Sequence, residues 1–126
     1  MTGHGHESSP GRSEEVARVG AEHVLLLYDY VDRADLDGCL SLLDESVRLR
    51  LPGLPSSQGR IRVEASLRKN LVGHGLHRVD LVRISGENVI AEGAFTETSP
   101  MLILLYRDVF SLSEHGLIAS WERVPR

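Results

Sequence analysis

The sequence predicts a single α+β domain in which helices come first and the strands of one sheet follow. Apolar residues recur at helical spacing through residues 13–43, whereas residues 78–124 have the pattern of strands separated by tight turns. Runs of helices followed by runs of strands are typical of the α+β class. The length supports one domain, because 126 residues with a 41% hydrophobic content suit a single ordinary core.

Composition narrows the classes of partner and compartment. The net charge is −4 and the basic residues form no run, which argues against a nucleic-acid partner. No apolar stretch approaches ~20 residues, so no membrane span is expected. Residues 1–12 lack the apolar segment of a secretory signal, and we expect a flexible tail ahead of a domain spanning residues 13–126. The single cysteine, Cys39, excludes an internal disulfide and favours a cytoplasmic location.

Three helices are expected. Ser13 is the expected N-cap of the first helix, which we place to about Arg33. The inward stripe of this helix consists of Val16, Gly20, His23, Leu27 and Val31. Asp35 is the expected cap of a second, short helix, and a third helix is expected over residues 60–70. The apolar residues of the second helix are Leu36, Cys39, Leu40 and Leu43.

Five strands complete the predicted order α-α-β-α-β-β-β-β. The first is predicted by strict alternation of apolar and basic residues over 47–51, and a loop over residues 55–59 follows it. Turn residues at 85–88, 98–100 and 114–116 separate the remaining strands. Those strands are expected at residues 78–84, 89–97, 101–112 and 117–124.

Several segments resemble the SnoaL-like, or nuclear transport factor 2-like, superfamily, whose members have a ketosteroid isomerase-like cone fold. They are Ala-Asp-Leu-Asp-Gly at 34–38, Leu-Leu-Asp-Glu-Ser-Val at 42–47, Gly-Arg at 59–60, and Asp-Val-Phe at 108–110 before the turn and Leu-Ile at 117–118. The resemblance covers residues 14–126. It implies a cone in which a curved mixed sheet wraps the first helix and leaves an apolar cavity between them.

The ketosteroid isomerases of this superfamily use a carboxylate base, a tyrosine and a protonated aspartate. When the patterns are matched, these positions fall at Leu51, Leu27 and Leu105, and leucine can neither move a proton nor donate to an oxyanion. The resemblance therefore implies that ketosteroid-type isomerisation is not expected. A shift of one residue along the helix places Tyr28 at the tyrosine position, and this alternative stays open.

Strand alternation extends the expected cavity wall. If Leu51 and Leu105 point inward, Leu49, Ile103 and Arg107 point inward with them. The register of the last two strands adds Trp121, and with it Ala119 and Arg123. Leu27, Tyr28, Leu49, Leu51, Ile103, Leu105 and Trp121 are therefore the expected ligand-binding residues.

Two residues are candidates for catalysis. An inward Arg107 can orient a carboxylate, enolate or ketone oxygen of a ligand, and the alternative is an ion pair with Glu122, Asp80 or Glu97. His23 lies on the inward stripe of the first helix, where it can act as a general base or as a hydrogen-bonded structural residue. No metal site and no cofactor is expected.

Two functions remain open from the sequence. The first is binding of an apolar, polyketide-like or terpenoid-like molecule, with cyclisation or isomerisation as the expected reaction if one is catalysed. The second is a non-catalytic binding or assembly module that has lost the catalytic acids. In either case we expect a homodimer through the outer sheet face, where Leu104, Tyr106 and Phe110 are the expected contacts.

Overall fold

The computed structural model of the protein describes residues 8–126, and it describes side chains from Glu14 onward. Three helices and six strands form the predicted α+β order with one addition, a two-residue strand in the loop where no strand was expected. The helices are α1 (Ser8–Asp32), α2 (Leu36–Ser41) and α3 (Arg60–Asn70). The strands are β1 (Leu43–Arg50), β2 (Ser57–Gln58), β3 (Gly75–Ser85), β4 (Asn88–Thr98), β5 (Met101–Leu112) and β6 (Ile118–Pro125).

Helix α1 crosses the inner face of the sheet through one apolar stripe. Its buried residues follow helical spacing, with Tyr28 directly after Leu27, which puts them on one broad face of the helix; they are Ala17, Gly20, Val24, Leu27, Tyr28 and Val31. Residues 8–13 are already helical, so the predicted N-cap at Ser13 is wrong. Residues 1–7 of the predicted tail lie outside the described residues.

The predicted cap at Asp35 is confirmed. Its carboxylate accepts a hydrogen bond from the backbone N–H of Gly38 at 2.9 Å and so satisfies one donor of the first turn of α2. Ala34, immediately before it, has a φ of 58°, and this left-handed residue turns the chain sharply from α1 into α2.

The sheet is curved and open, with the strand order β2-β1-β6-β5-β4-β3. Strand β1 runs parallel to β6, and every other neighbouring pair is antiparallel. The core lies between this sheet and α1, where Trp121 and Phe110 are fully buried neighbours with ring centroids 5.5 Å apart. Among residues 8–126, each helix is too short or too polar to span a lipid bilayer.

The inward face of β5 is the reverse of the predicted one. Tyr106, Asp108 and Phe110 are buried against α1, whereas the Arg107 side chain points outward and forms an ion pair with Glu92. Adjacent strand residues face opposite sides of a sheet, so the predicted inward orientation of Ile103, Leu105 and Arg107 is wrong. The predicted outer positions of Leu104, Tyr106 and Phe110 are wrong for the same reason.

Gly93 on β4 is required by the close approach of the strands around it. A Cβ at this position would lie 1.9 Å from the backbone oxygen of Arg78 and 2.7 Å from the hydroxyl of Tyr106. The missing side chain lets the Tyr106 hydroxyl donate a hydrogen bond to the Arg78 oxygen at 3.3 Å. The Tyr106 ring is thereby fixed above the inner face of the sheet.

Candidate functional site

An apolar cavity of about 340 Å³ opens at the end of the sheet where β4 and β6 finish. Its volume lies within the range of small-molecule sites. One wall comes from the segment after β1 and from the end of α3, and the other comes from β4, β5 and β6. The lining residues are Leu51, Pro52, Leu54, Asn70, Leu71, Phe95, Glu97, Leu104, Leu105, Tyr106, Arg123, Val124 and Pro125.

Apart from Tyr106, whose hydroxyl is bonded to the Arg78 oxygen, three of the lining side chains bring polar or charged groups to this largely apolar wall. Arg123 is only 8% exposed and lies at the inner end, over the ring of Tyr106 with its guanidinium carbon 4.4 Å from the ring centroid. Asn70 donates its side-chain N–H to the backbone oxygen of Ser66 at 3.0 Å, which leaves its amide oxygen as an acceptor. The third is Glu97, which is partly exposed.

Arg123 is held from behind by Asp108, which is 0% exposed. The two residues are direct partners across β5 and β6. The Nε and Nη2 groups of Arg123 each donate a hydrogen bond of 2.8 Å to one carboxylate oxygen of Asp108. Burial alone lowers the pKa of Arg123, but the hydrogen bond and charge of Asp108 outweigh it and raise that pKa, so the guanidinium stays charged.

The proton position on His77 follows from its two neighbours. Arg123 has only donors, so its Nη2 donates to the His77 Nε2 at 2.8 Å and that ring nitrogen is the acceptor. The ring proton is therefore on Nδ1, which donates to the Asp32 carboxylate at 2.7 Å. Burial lowers the pKa of His77, and the nearby Arg123 charge also lowers it, while the bond to Asp32 opposes the shift. His77 is thus a neutral link between Asp32 and Arg123.

Tyr28 completes the group on the side of α1. Its hydroxyl donates a hydrogen bond of 2.6 Å to Asp108, which therefore accepts three side-chain hydrogen bonds. Burial raises the pKa of Tyr28 well above its usual value, and the Asp108 charge adds to the effect. Burial likewise raises the pKa of Tyr106 to about 12. Both phenols are neutral donors near neutral pH.

This network of Asp32, His77, Arg123, Asp108 and Tyr28 supports a cation and does not supply a base to the cavity. Asp108 and Tyr28 are sealed behind Arg123 and do not line the cavity, so neither reaches a ligand inside it. Both carboxylate oxygens of Asp108 accept hydrogen bonds from within the network. The part of the network that a ligand can touch is Arg123.

The predicted ligand-binding residues divide into three groups. Leu51 lines the cavity as expected, and Leu105 lines its rim although its side chain is half exposed on the outer face. Four residues are buried in the core beside the cavity without lining it: Leu27, Tyr28, Leu49 and Trp121. Ile103 is exposed and lies outside the cavity.

The two predicted catalytic residues are not brought together. The Nδ1 of His23 lies 2.8 Å from the backbone oxygen of Gly116 in the turn between β5 and β6, which is a structural contact. Arg107 donates to Glu92 on the outside of the sheet. The alternative prediction, an outward ion pair for Arg107, is therefore confirmed. The predicted partners Glu122, Asp80 and Glu97 are wrong, because the partner is Glu92.

Sequence reasoning missed the network because it assigned the wrong face of β5. Asp108 lies between Tyr106 and Phe110 in the alternation, and these two large aromatic residues mark the inner face. If these two aromatic residues had been used to assign the inner face of β5, Asp108 would have been placed inward, opposite Arg123, which was expected to point inward. The contact of Asp32 with His77 joins residues 45 positions apart and has no local sequence signal.

A curved, open sheet that covers a long helix and leaves an apolar cavity is the arrangement of the NTF2-like fold, which SnoaL-like proteins share. The chain has this fold. It covers 91% of an NTF2-like protein of unknown function from Burkholderia pseudomallei, with 86% of its own length aligned, 20% identity and a TM-score of 0.73.

Two further similar structures bear provisional names. A protein from Jannaschia sp. CCS1, provisionally named a SnoaL-like polyketide cyclase, aligns over 85% of each chain with 17% identity and a TM-score of 0.74. A provisionally named polyketide cyclase from Xanthomonas campestris pv. campestris aligns over 86% of this chain and 90% of its own, with 20% identity and a TM-score of 0.70. No protein-family model and no curated protein matches the chain. At these identities the likeness shows the fold, and activity has to be inferred from the cavity.

Proposed function

We propose that the protein binds a small, largely apolar molecule in the cavity and that Arg123 donates hydrogen bonds to an oxygen of that molecule. The observation that carries this proposal is the division of the five N–H donors of Arg123. Nε uses one on Asp108, and Nη2 uses two, on Asp108 and His77. The two donors on Nη1 have no partner among residues 8–126.

Those two donors are accessible from the cavity. The buried side-chain polar atoms that lack a partner in the described part of the chain are Ser57 Oγ and Trp121 Nε1. The Nη1 atom of Arg123 also lacks a partner, but it is not fully buried as these two atoms are. Since Arg123 lines the cavity, we infer that Nη1 is exposed there. A planar pair of N–H groups at the end of an apolar cavity fits a carbonyl-type oxygen. The surrounding apolar wall supplies most of the binding free energy.

A matched pair of variants on β5 tests the binding site. Leu104, which is 44% exposed, lines the cavity, whereas Leu102, which is 48% exposed, does not. We expect Leu104→Trp to weaken binding of the neutral dye Nile red by about tenfold, since the indole fills the cavity, and Leu102→Trp to leave the Kd unchanged. Equal dye affinity in wild type and Leu104→Trp, or no dye binding by wild type, would contradict the proposal.

A cyclase or isomerase acting on a polyketide-like or terpenoid-like compound is the second candidate. It is favoured by Arg123 and Glu97 lining the same cavity, because free N–H donors can stabilise an enolate oxygen while a carboxylate accepts the proton. The provisional names of two similar structures agree with this chemistry. Asp108 is not the base in this candidate, since it does not line the cavity.

Exchange of deuterium into a ketone tests this second candidate function directly. With the bicyclic ketone 2-decalone in deuterated water, we expect wild type to accelerate exchange beside the carbonyl and Glu97→Gln to abolish the acceleration. Glu87→Gln is the matched control, because Glu87 lies in the exposed turn between β3 and β4. Exchange at the buffer rate with wild type would contradict proton abstraction from ketones.

A further inference from the structure

The rim of the cavity carries a carboxylate that the described residues leave unpaired. Glu97 lines the cavity and has no ion-pair partner among residues 8–126. It lies two residues beyond Phe95 on β4, so both side chains point to the same face of the sheet. Phe95 is buried and lies 5.7 Å from the guanidinium carbon of Arg123, whereas Glu97 is partly exposed. Glu97 therefore marks the outer end of the cavity and Arg123 the inner end.

The inner end is not a net positive site. The single charge of Arg123 is offset by Asp108, and behind it His77 is neutral while Asp32 adds a further carboxylate. The nearby Arg126 lies against Asp80 and Glu92 and does not line the cavity. The charges of Arg123, its ion-pair partner Asp108 and the cavity-lining Glu97 sum to a negative value. Such a site repels a carboxylate and attracts a cation.

We propose that the ligand is an apolar molecule that carries a protonated amine at its outer end, and that Glu97 recognises this amine. The inference rests on the proposed binding function and adds the class of ligand. Glu97 accepts a charge-assisted hydrogen bond from the ammonium group, and the amide oxygen of Asn70 on the opposite wall is a second acceptor. The apolar body lies along Leu51 and Leu71, towards the free donors of Arg123.

Three eight-carbon probes that differ only in their head group test the proposal by displacement of Nile red: octylamine, 1-octanol and octanoate. At pH 7 we expect wild type to bind octylamine about tenfold more tightly than octanoate, with 1-octanol between them. We expect Glu97→Gln to weaken octylamine about three- to tenfold and to strengthen octanoate, because it removes the rim charge. Glu97→Asp keeps the charge and retains the order of affinities.

Glu87→Gln is the control for a general effect of charge, since it makes the same substitution in the exposed turn between β3 and β4. We expect it to leave all three affinities unchanged. Octanoate binding as tightly as octylamine to wild type would overturn the amine assignment, and an unchanged amine preference in Glu97→Gln would overturn the role of Glu97. In both cases the binding function still stands if wild type binds Nile red and Leu104→Trp binds it about tenfold more weakly. If wild type binds neither the dye nor the probes, both proposals fail.

Discussion

Arg123 and Asp108 are directly opposite each other on β6 and β5, and two hydrogen bonds of 2.8 Å join their charged groups in the core. The sequence had predicted a different arrangement, in which Arg107 on β5 faced an apolar cavity that lacked the catalytic acids. The buried acid is present, but it is committed to the arginine. The fold uses its carboxylate to hold a cation in place, and the cation presents its remaining donors to the cavity.

Asp108→Asn tests how much the pair contributes to stability. The amide cannot neutralise Arg123, so the variant leaves an uncompensated charge in the core. We expect the free energy of unfolding to fall by roughly 3–5 kcal/mol, measured by urea denaturation. A loss below about 1 kcal/mol would show that the charge of Arg123 does not depend on Asp108 for its stabilisation in the core.

The double variant Asp108→Leu with Arg123→Met is the control for this effect. Replacing both charges with apolar side chains of similar volume removes the cost of burying a charge but leaves the buried Tyr28 hydroxyl without its acceptor, so we expect it to recover part of the stability lost in Asp108→Asn. It should not recover Nile red binding in full, because the donors of Arg123 are gone. Stability that stays as low as in Asp108→Asn would point to packing as the cause.

Tyr28→Phe isolates the third hydrogen bond to Asp108. The hydroxyl donates to a charged group at 2.6 Å in the core, so its removal should lower the free energy of unfolding by roughly 1.5–3 kcal/mol. Tyr30→Phe on the same helix is the matched control, since Tyr30 is only partly buried. Its loss is expected to stay below about 0.5 kcal/mol. Equal losses in the two variants would show that the bond to Asp108 is not special.

The fold was predictable because its signals are local. The bounds of α3, the cap at Asp35 and the hairpin turn at residues 85–88 each depend on a few neighbouring residues, and the structure agrees with them. The helical structure of residues 8–12 was not predictable, because their composition is typical of a flexible tail although they belong to α1. Strand β2 was also missed, because two residues form too short a segment to show alternation.

The site was harder to predict, because an error of one residue in the alternation of a strand assigns every side chain of that strand to the wrong face of the sheet. The resemblance to ketosteroid isomerases fixed Leu105 as inward, and Arg107 followed it. Tyr28 was kept as an alternative by a shift of one residue, and the structure places its hydroxyl on the buried carboxylate. The long-range partner Asp32 required the fold itself.

Stability should depend on pH through His77. Its pKa lies below the ordinary value of 6.5 because burial and the Arg123 charge disfavour the protonated ring. Below pH 6.5 the unfolded chain therefore binds more protons than the folded protein, so the free energy of unfolding falls as the pH falls. The slope from this one group is at most about 1.4 kcal/mol per pH unit. Urea denaturation between pH 7.5 and pH 5 measures it.

His77→Gln removes the titrating ring and keeps an acceptor for Arg123, so the slope below pH 6.5 should flatten. His115→Gln is the control, because that side chain is 79% exposed in the turn between β5 and β6. Carboxylates with lowered pKa values, such as Asp29, Asp80 and Glu92, lose their contribution mainly below about pH 5, so they add little to the slope above that pH. An unchanged slope in His77→Gln would assign the effect to another group.

The outer face of the sheet is where we expect a second copy of the chain to bind. Ile103 is 63% exposed, and Leu105 and Leu81 on the same sheet are also exposed, which leaves an apolar surface on β3 and β5. Ile103→Glu places a charge in this surface without touching the core. We expect it to shift a dimer towards monomer by at least about tenfold in Kd, since a buried unpaired carboxylate is costly. Analytical ultracentrifugation over a range of concentrations measures the shift.

Leu25→Glu on α1 separates a local effect from a general loss of surface hydrophobicity. Leu25 is 49% exposed and belongs to the helix, so the same charge there should leave association unchanged if the contact is made by the sheet. Association that weakens in Leu25→Glu and not in Ile103→Glu would place the contact on the helix side. A wild-type protein that sediments as a monomer at every concentration would contradict the predicted dimer. The exposed apolar surface on β3 and β5 would then have to bind a different partner.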